Sequence, residues 1–157
     1  MRERQFVADM VSGQKLPKMF RVKQKFPRQR IAVEEIPGII EHLLSAEKFA
    51  SKVKPGMRIA ITAGSRGVAN VALTTKCIAD FVKKQGATPF IVPSMGSHGG
   101  ATAEGQREIL EGYGITEEYV GCPIISSMEV KNIGLTEDGR EVFIDKHAAE
   151  ADGIIIG

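Results

Sequence analysis

The sequence predicts an α/β domain with a mainly parallel sheet, helices on both faces and an appended β-hairpin, and three observations predict it. Residues 57–63, a helical stretch over 68–85 and residues 88–92 read as strand, helix and strand within about 36 residues. That is a βαβ unit, whose two strands run parallel. The apolar run Phe90-Ile-Val-Pro93 then breaks into a loop rich in glycine, with His98 between Gly96 and Gly99-Gly100. In open α/β sheets, the space beyond the carboxyl ends of the strands is where ligands bind. Finally, Asp138-Gly139 between two short β-like runs is a hairpin signal.

The bulk properties bound the answer. A chain of 157 residues, 43% hydrophobic and 25% charged, suits one globular domain with a real core. Its net charge of +2 conceals an asymmetry. Up to Arg30 there are nine Lys/Arg against two Asp/Glu, which leaves about −5 for everything after. The basic run reads as a solvated amino-terminal arm and strand, with an anionic partner as the competing reading. Without interleaved stacking aromatics or a recognition motif, a nucleic-acid partner is not expected. Cys77 and Cys122 have no metal-ligand spacing and read as thiols in a reducing compartment. No apolar run approaches the roughly 18 residues of a membrane span, and the amino terminus lacks a signal-peptide block. The expected location is cytoplasmic, with no membrane partner.

In chain order, residues 1–30 read as a basic arm followed by an edge strand over 19–26, part of the same domain as 31–157. Ile36, Ile39, Ile40 and Leu43 recur at helical spacing and predict an amphipathic helix from 34 to about 50, with Pro37 tolerated in its first turn. Pro55-Gly56 ends it. The strand over 57–63 is apolar enough to be buried on both faces. The helix over 68–85 places Val71, Thr75, Ile78 and Val82 on one face and carries Lys83 and Lys84 in its last turn. Thr102 is positioned to cap a helix over 103–113. Gly105 inside that helix costs about 1 kcal/mol relative to alanine, which points to close approach of another backbone or of a ligand. A short helix begins at Thr116, residues 123–126 read as strand, and 130–135 with 141–145 form the hairpin. One helical turn over 147–151 precedes a buried strand over 153–157. A domain that stops on such a strand is expected to be a fragment, or the first part of a longer protein whose second half completes the site.

Two loops leave neighbouring strand ends and should face one crevice: Gly64-Ser-Arg-Gly67 and Gly96-Ser-His-Gly-Gly100. Arg66 stands just before a helix amino terminus, and its planar fork matches a carboxylate or phosphate in two parallel hydrogen bonds. It is equally readable as a surface arginine in a turn. His98 has the side chain suited to proton transfer near neutral pH, although a loop histidine more often only bonds backbone. His42 and His147 sit in ordinary helical contexts and are assigned no chemistry. The glycines could instead cradle a phosphate, but the spacing is not G-x-G-x-x-G and no P-loop lysine follows. Ser65, Ser94 and Ser97 lack the nucleophile elbow of serine hydrolases.

Taken together, Ala63-Gly-Ser-Arg-Gly-Val-Ala-Asn70, the stretch from Pro93 through Met95-Gly-Ser-His-Gly-Gly100 to Gln106, and Ser126-Ser-Met-Glu-Val130 resemble the amino-terminal domain of the lactate racemase family. The likeness runs from about Arg30 to the last residue. It implies a two-domain α/β protein whose cleft holds a nickel-pincer nucleotide, and a reaction that inverts a small 2-hydroxy acid through transient hydride transfer to that cofactor. By position, the resemblance makes Arg66 the substrate-carboxylate arginine and His98 one of two acid/base histidines. Ser65 would contact substrate beside Arg66, with Gly67 shaping the loop. Asn70, Gly96, Ser97, Gly99 and Gly100 would offer hydrogen bonds to the cofactor. Two departures stand out: Ala63 replaces an aspartate and Gly99 an arginine of the lactate racemases, so the substrate need not be lactate. The cofactor-attaching lysine, the second catalytic histidine and the nickel-ligating histidine would lie beyond Gly157. The resemblance therefore implies that this chain is inactive without a carboxyl-terminal domain, its expected partner, and it leaves room for a homo-oligomer. A non-catalytic anion- or partner-binding module and a nucleotide-binding α/β domain remain the competing classes.

Overall fold

The computed structural model describes residues 2–15, 18–27 and 30–157, which fall into two units, Met1–Arg30 and Ile31–Gly157. In the first unit, the expected arm begins as a helix, α1 (Arg2–Val11). Phe6 and Met10, one turn apart, carry its helical spacing, and Ser12 and Gly13 end it. The strand expected over 19–26 is not present. These residues have no regular structure and are exposed, Phe20 at 84%. Alternating apolar and polar residues make a strand only when a neighbour completes the ladder, and among the described residues none pairs with this stretch.

The second unit opens with a 3-10 turn, Val33–Glu35, leading into α2 (Ile36–Leu44) and then α3 (Glu47–Ala50). The single helix expected here is therefore broken. Ala46 is extended, with ψ 135°, and its carbonyl restarts the helix by accepting from Phe49 N–H and Ala50 N–H. The break turns Leu44 and Ala50 onto the core, while Ile39 and Leu43, expected on the inner face, are exposed.

The sheet is parallel and has the order β2-β1-β5. Its central strand is β1 (Arg58–Ala63), and α4 (Val71–Lys84) crosses to β2 (Thr88–Pro93), as the βαβ spacing predicts. Arg58 lies opposite Thr88 and Ala63 opposite Pro93. After β2 come α5 (Ala103–Gly112) and α6 (Glu117–Val120), capped by the Thr102 and Thr116 side chains. The stretch expected as a strand over 123–126 contributes one parallel bridge, Ile124 to Ile91, and no more. The hairpin has the predicted bounds, β3 (Val130–Leu135) and β4 (Glu141–Asp145), with an irregularity between Asn132 and Gly134. Then α7 (Lys146–Ala149) leads into β5 (Gly153–Ile156), which pairs β1 from Ile59↔Gly153 to Thr62↔Ile156.

Successive side chains of a strand point to opposite faces, and the core divides accordingly. Ile59, Ile61, Ala63 and Ile91 pack with α4 and α5 residues such as Val82 and Leu110, whereas Ala60, Phe90 and Val92 pack with Ala148 of α7. Helices thus cover both faces. Cys122 is buried and Cys77 half-buried, both as free thiols, and burial pushes both thiols up from their ordinary range. Among the described residues no helix is long and apolar enough to cross a membrane.

A polar knot holds α5, α6 and the Ile124 bridge together. Glu117 Oε1 accepts from Ile124 N–H at 3.0 Å and from Arg107 Nη2 at 2.8 Å, and Arg107 Nη1 donates to the Ile124 carbonyl at 3.1 Å. The Ile124 N–H first, and Arg107 next, hold the Glu117 carboxyl below its usual range. A carboxyl whose folded pKa is depressed stabilises the fold above its unfolded value, about 4.3 for glutamate, and loses that contribution as pH falls through the folded value. The urea midpoint of the wild type should therefore decline as pH drops below the ordinary glutamate range. Glu117→Gln should start lower at neutral pH and show a flatter acid limb, and identical limbs in the two proteins would contradict this.

Candidate active site

Both candidate loops begin at strand ends that lie side by side. Ala63 is the partner of Pro93 in the β1–β2 ladder, and Ser94 N–H donates to the Ala63 carbonyl at 2.8 Å, which carries the pairing one step past the strands. The first loop then turns over Gly64 and Ser65. Tyr113 Oη, at the end of α5, donates to the Ser65 carbonyl at 2.7 Å. Asn70 adopts a left-handed conformation, φ 58°, ahead of α4, and its side chain makes no capping hydrogen bond.

The second loop is held more tightly. Gly99, Gly100 and Ala101 all have positive φ, 63°, 66° and 55°. Gly99 lies directly on the first turn of α5. A Cβ on Gly105 would stand 2.1 Å from the Gly99 carbonyl oxygen, and one on Gly99 would stand 2.4 Å from the Gly105 carbonyl carbon. The close backbone approach expected at Gly105 is therefore real, and its partner is the loop itself. Thr102 Oγ1 accepts from Gly105 N–H at 3.1 Å and donates to the Gly99 carbonyl at 3.0 Å. Gln106, only 5% exposed, reaches back from α5 and donates through Nε2 to the Gly96 carbonyl at 2.7 Å and the His98 carbonyl at 3.4 Å. A buried amide with both donors engaged fixes the backbone on either side of His98.

These constraints place His98 against the first loop. Its Nδ1 lies 2.5 Å from Ser65 Oγ. Ser65, Arg66 and His98 line one cavity of about 540 Å³, together with Val71, Thr75 and Ile78 of α4 and with Met95. The Arg66 guanidinium is exposed and makes no ion pair among the described residues. Imidazole Nε2 likewise has no protein partner among them. The arrangement can hold an anion by two parallel bonds at Arg66 and exchange a proton at His98.

The residues expected to serve a cofactor are more scattered. Gly96 lines a second cavity of about 340 Å³, together with Gln106, Ser127, Glu129 and Asp145. Ser97, Gly99, Gly100 and Asn70 line neither of these two cavities. Gly99 in particular is occupied by the α5 backbone. Among the described residues no three His, Cys, Asp or Glu side chains come together to hold a metal ion. His42 and His147 lie in α2 and α7 and line neither of these cavities.

Sequence reasoning missed Tyr113 and Gln106 as parts of the site. Gln106 had a signal, a polar residue four positions after a capping threonine and therefore on the same side of the helix as the preceding loop. Tyr113 had none, because its bond to Ser65 spans 48 residues.

The glycine contact reverses an ordinary rule. Glycine to alanine inside a helix normally stabilises by up to about 1 kcal/mol. Here Gly105→Ala should destabilise by roughly 1–3 kcal/mol, the range of overpacking, and should move the amide resonances of Gly96 to Ala101. A rise in the denaturation midpoint would show that the contact is not tight.

Among known proteins, no curated protein and no solved structure matches the chain. One family model does, described as the lactate racemase N-terminal domain, and it matches residues 10–157. That span holds the parallel sheet, both loops, Arg66 and His98, and agrees with the resemblance read from the loop motifs; the chain belongs to the lactate racemase N-terminal domain family.

Proposed function

We propose that this chain is the substrate-binding, proton-transferring half of a racemase or epimerase acting on a 2-hydroxy acid. One observation carries the reading: Arg66 and His98, from two different loops, line the same cavity beyond the strand ends. A 2-hydroxy acid presents a carboxylate and, on the adjacent carbon, a hydroxyl. Arg66 takes the carboxylate through its fork. That contact orients C2 and brings its hydroxyl to the imidazole.

His98 removes the hydroxyl proton as the C2–H bond breaks and returns it in the reverse direction. Imidazole suits both directions, because its second ring nitrogen can take up a proton and give it back. Val71, Ile78 and Met95 give the same cavity apolar surface for the rest of the substrate. In the family the hydride acceptor is a nickel-pincer nucleotide, which when bound supplies reversible uptake of hydride from C2.

Arg66 and His98 fit the substrate, whereas the described residues bring no three His, Cys, Asp or Glu side chains together for the metal. No ligand set exists among the described residues, so the groups that hold nickel are inferred to come from outside them. The cofactor-side contacts proposed here are limited to the open loop backbone near Gly96 and Gly100. On this reading the chain alone does not turn over, and its partner is the second domain of the family architecture.

The test uses the complete gene product co-expressed with the proteins that build the cofactor. Single enantiomers of a panel of 2-hydroxy acids are followed by chiral chromatography, with nickel quantified in the same sample. Nickel-dependent inversion is the expected outcome. Carboxylate binding without inversion would favour the binding module instead. In the active protein His98→Ala should lower turnover by about 10² to 10⁴-fold. Arg66→Lys should raise KM, because a point charge cannot reproduce the two-pronged contact. Wild-type constants in both variants would overturn the assignment.

A further inference from the structure

We infer that Ser65 is a positioning residue for His98: it holds Nδ1–H, so that Nε2 is the nitrogen that exchanges a proton with substrate. The inference rests on the acid/base reading of His98 and deepens it. Two observations carry it, the 2.5 Å contact between Ser65 Oγ and His98 Nδ1 and the absence of any protein partner at Nε2 among the described residues.

A neutral imidazole has one N–H and one lone pair, and which nitrogen carries which is set by the partner of the other nitrogen. A serine hydroxyl can donate or accept. If Ser65 donated to Nδ1, the proton of the neutral ring would sit on Nε2, and the exposed nitrogen could not act as a base. If Ser65 accepts from Nδ1–H, Nε2 presents its lone pair to the cavity. The imidazolium formed after proton uptake carries hydrogen on both nitrogens and also requires Ser65 to accept. An accepting Ser65 therefore keeps the same bond in both protonation states, with no reorganisation between them.

The serine is itself held for this task. Its carbonyl accepts from Tyr113 Oη at 2.7 Å, and its side chain faces the cavity beside Arg66. With Oγ accepting from the ring, the hydroxyl hydrogen is free to point into the cavity, toward the carboxylate that Arg66 would hold. Ser65 then contacts substrate and ring together, so the anion and the base are set in register by one side chain.

The test reads the ring directly and needs no turnover. The full 157-residue chain is labelled with ¹⁵N-histidine, and the two ring nitrogens of His98 are observed by long-range ¹H–¹⁵N correlation above the imidazole pKa. The wild type should show the Nδ1–H tautomer in excess over the Nε2–H form. Ser65→Ala should return the ring to the Nε2–H form that free histidine prefers, and Ser65→Thr should retain the wild-type pattern. An Nε2–H tautomer in the wild type overturns the inference on its own, without any variant. An unchanged tautomer in folded Ser65→Ala does the same. In the active enzyme, Ser65→Ala should lower kcat more than it raises KM, and Ser65→Thr should recover kcat. Failure of the racemase assay leaves the tautomer measurement intact, so the two readings fail separately.

Discussion

The β1–β2 ladder ends in register, with Ala63 beside Pro93 and one further hydrogen bond from Ser94 to Ala63. Everything at the site depends on that alignment. Two loops that start a hydrogen bond apart cannot diverge within a few residues, so the residues at positions two and three of one loop meet those at the tip of the other. A slip of the ladder would move the start of one loop along the strand by a residue, about 3.3 Å in a parallel pair, and Ser65 could no longer reach His98. The buried alternation of Ile59, Ala60, Ile61 and Ala63 against two different helical layers resists such a slip, because each side chain would change faces.

The second loop would be a poor platform if it were as free as its glycines suggest. Three consecutive positive φ values describe a chain with much conformational freedom to lose. Gly99 against Gly105, Thr102 capping α5 and Gln106 holding the carbonyls on both sides of His98 together remove that freedom before any ligand arrives. Helix α5 therefore does two jobs: its buried Leu110 seals the sheet, and its first turn sets the geometry of the His98 loop.

Most of this architecture was legible because it is local. The βαβ unit announces itself by apolar runs and breakers, the hairpin by Asp138-Gly139, and the helix caps by Thr102 and Thr116. What the sequence hid was decided by distant partners. The alternation over 19–26 looked like a strand, yet a strand is a property of two segments and among the described residues no second one pairs there. The helix expected from 34 to about 50 has good periodicity throughout, but turning Leu44 and Ala50 inward required a restart at Ala46. Arg66 and His98 could be nominated from their loops. The short bridge from Ser65 to His98 could not, because nothing in the composition of either loop specifies which serine lies within reach. Tyr113 and Gln106 act through backbone carbonyls and are equally invisible in a list of chemically active side chains.

The bonding of the His98 loop also limits what its backbone can offer. The carbonyls of Met95, Gly96, His98 and Gly99 all accept hydrogen bonds from within the loop or from α5. Four of its acceptors are thus spent on internal partners, and so are the N–H groups of His98, Ala101 and Thr102. What the loop can still offer a ligand is in this sense written into its main chain, and would survive the replacement of many of the side chains around it.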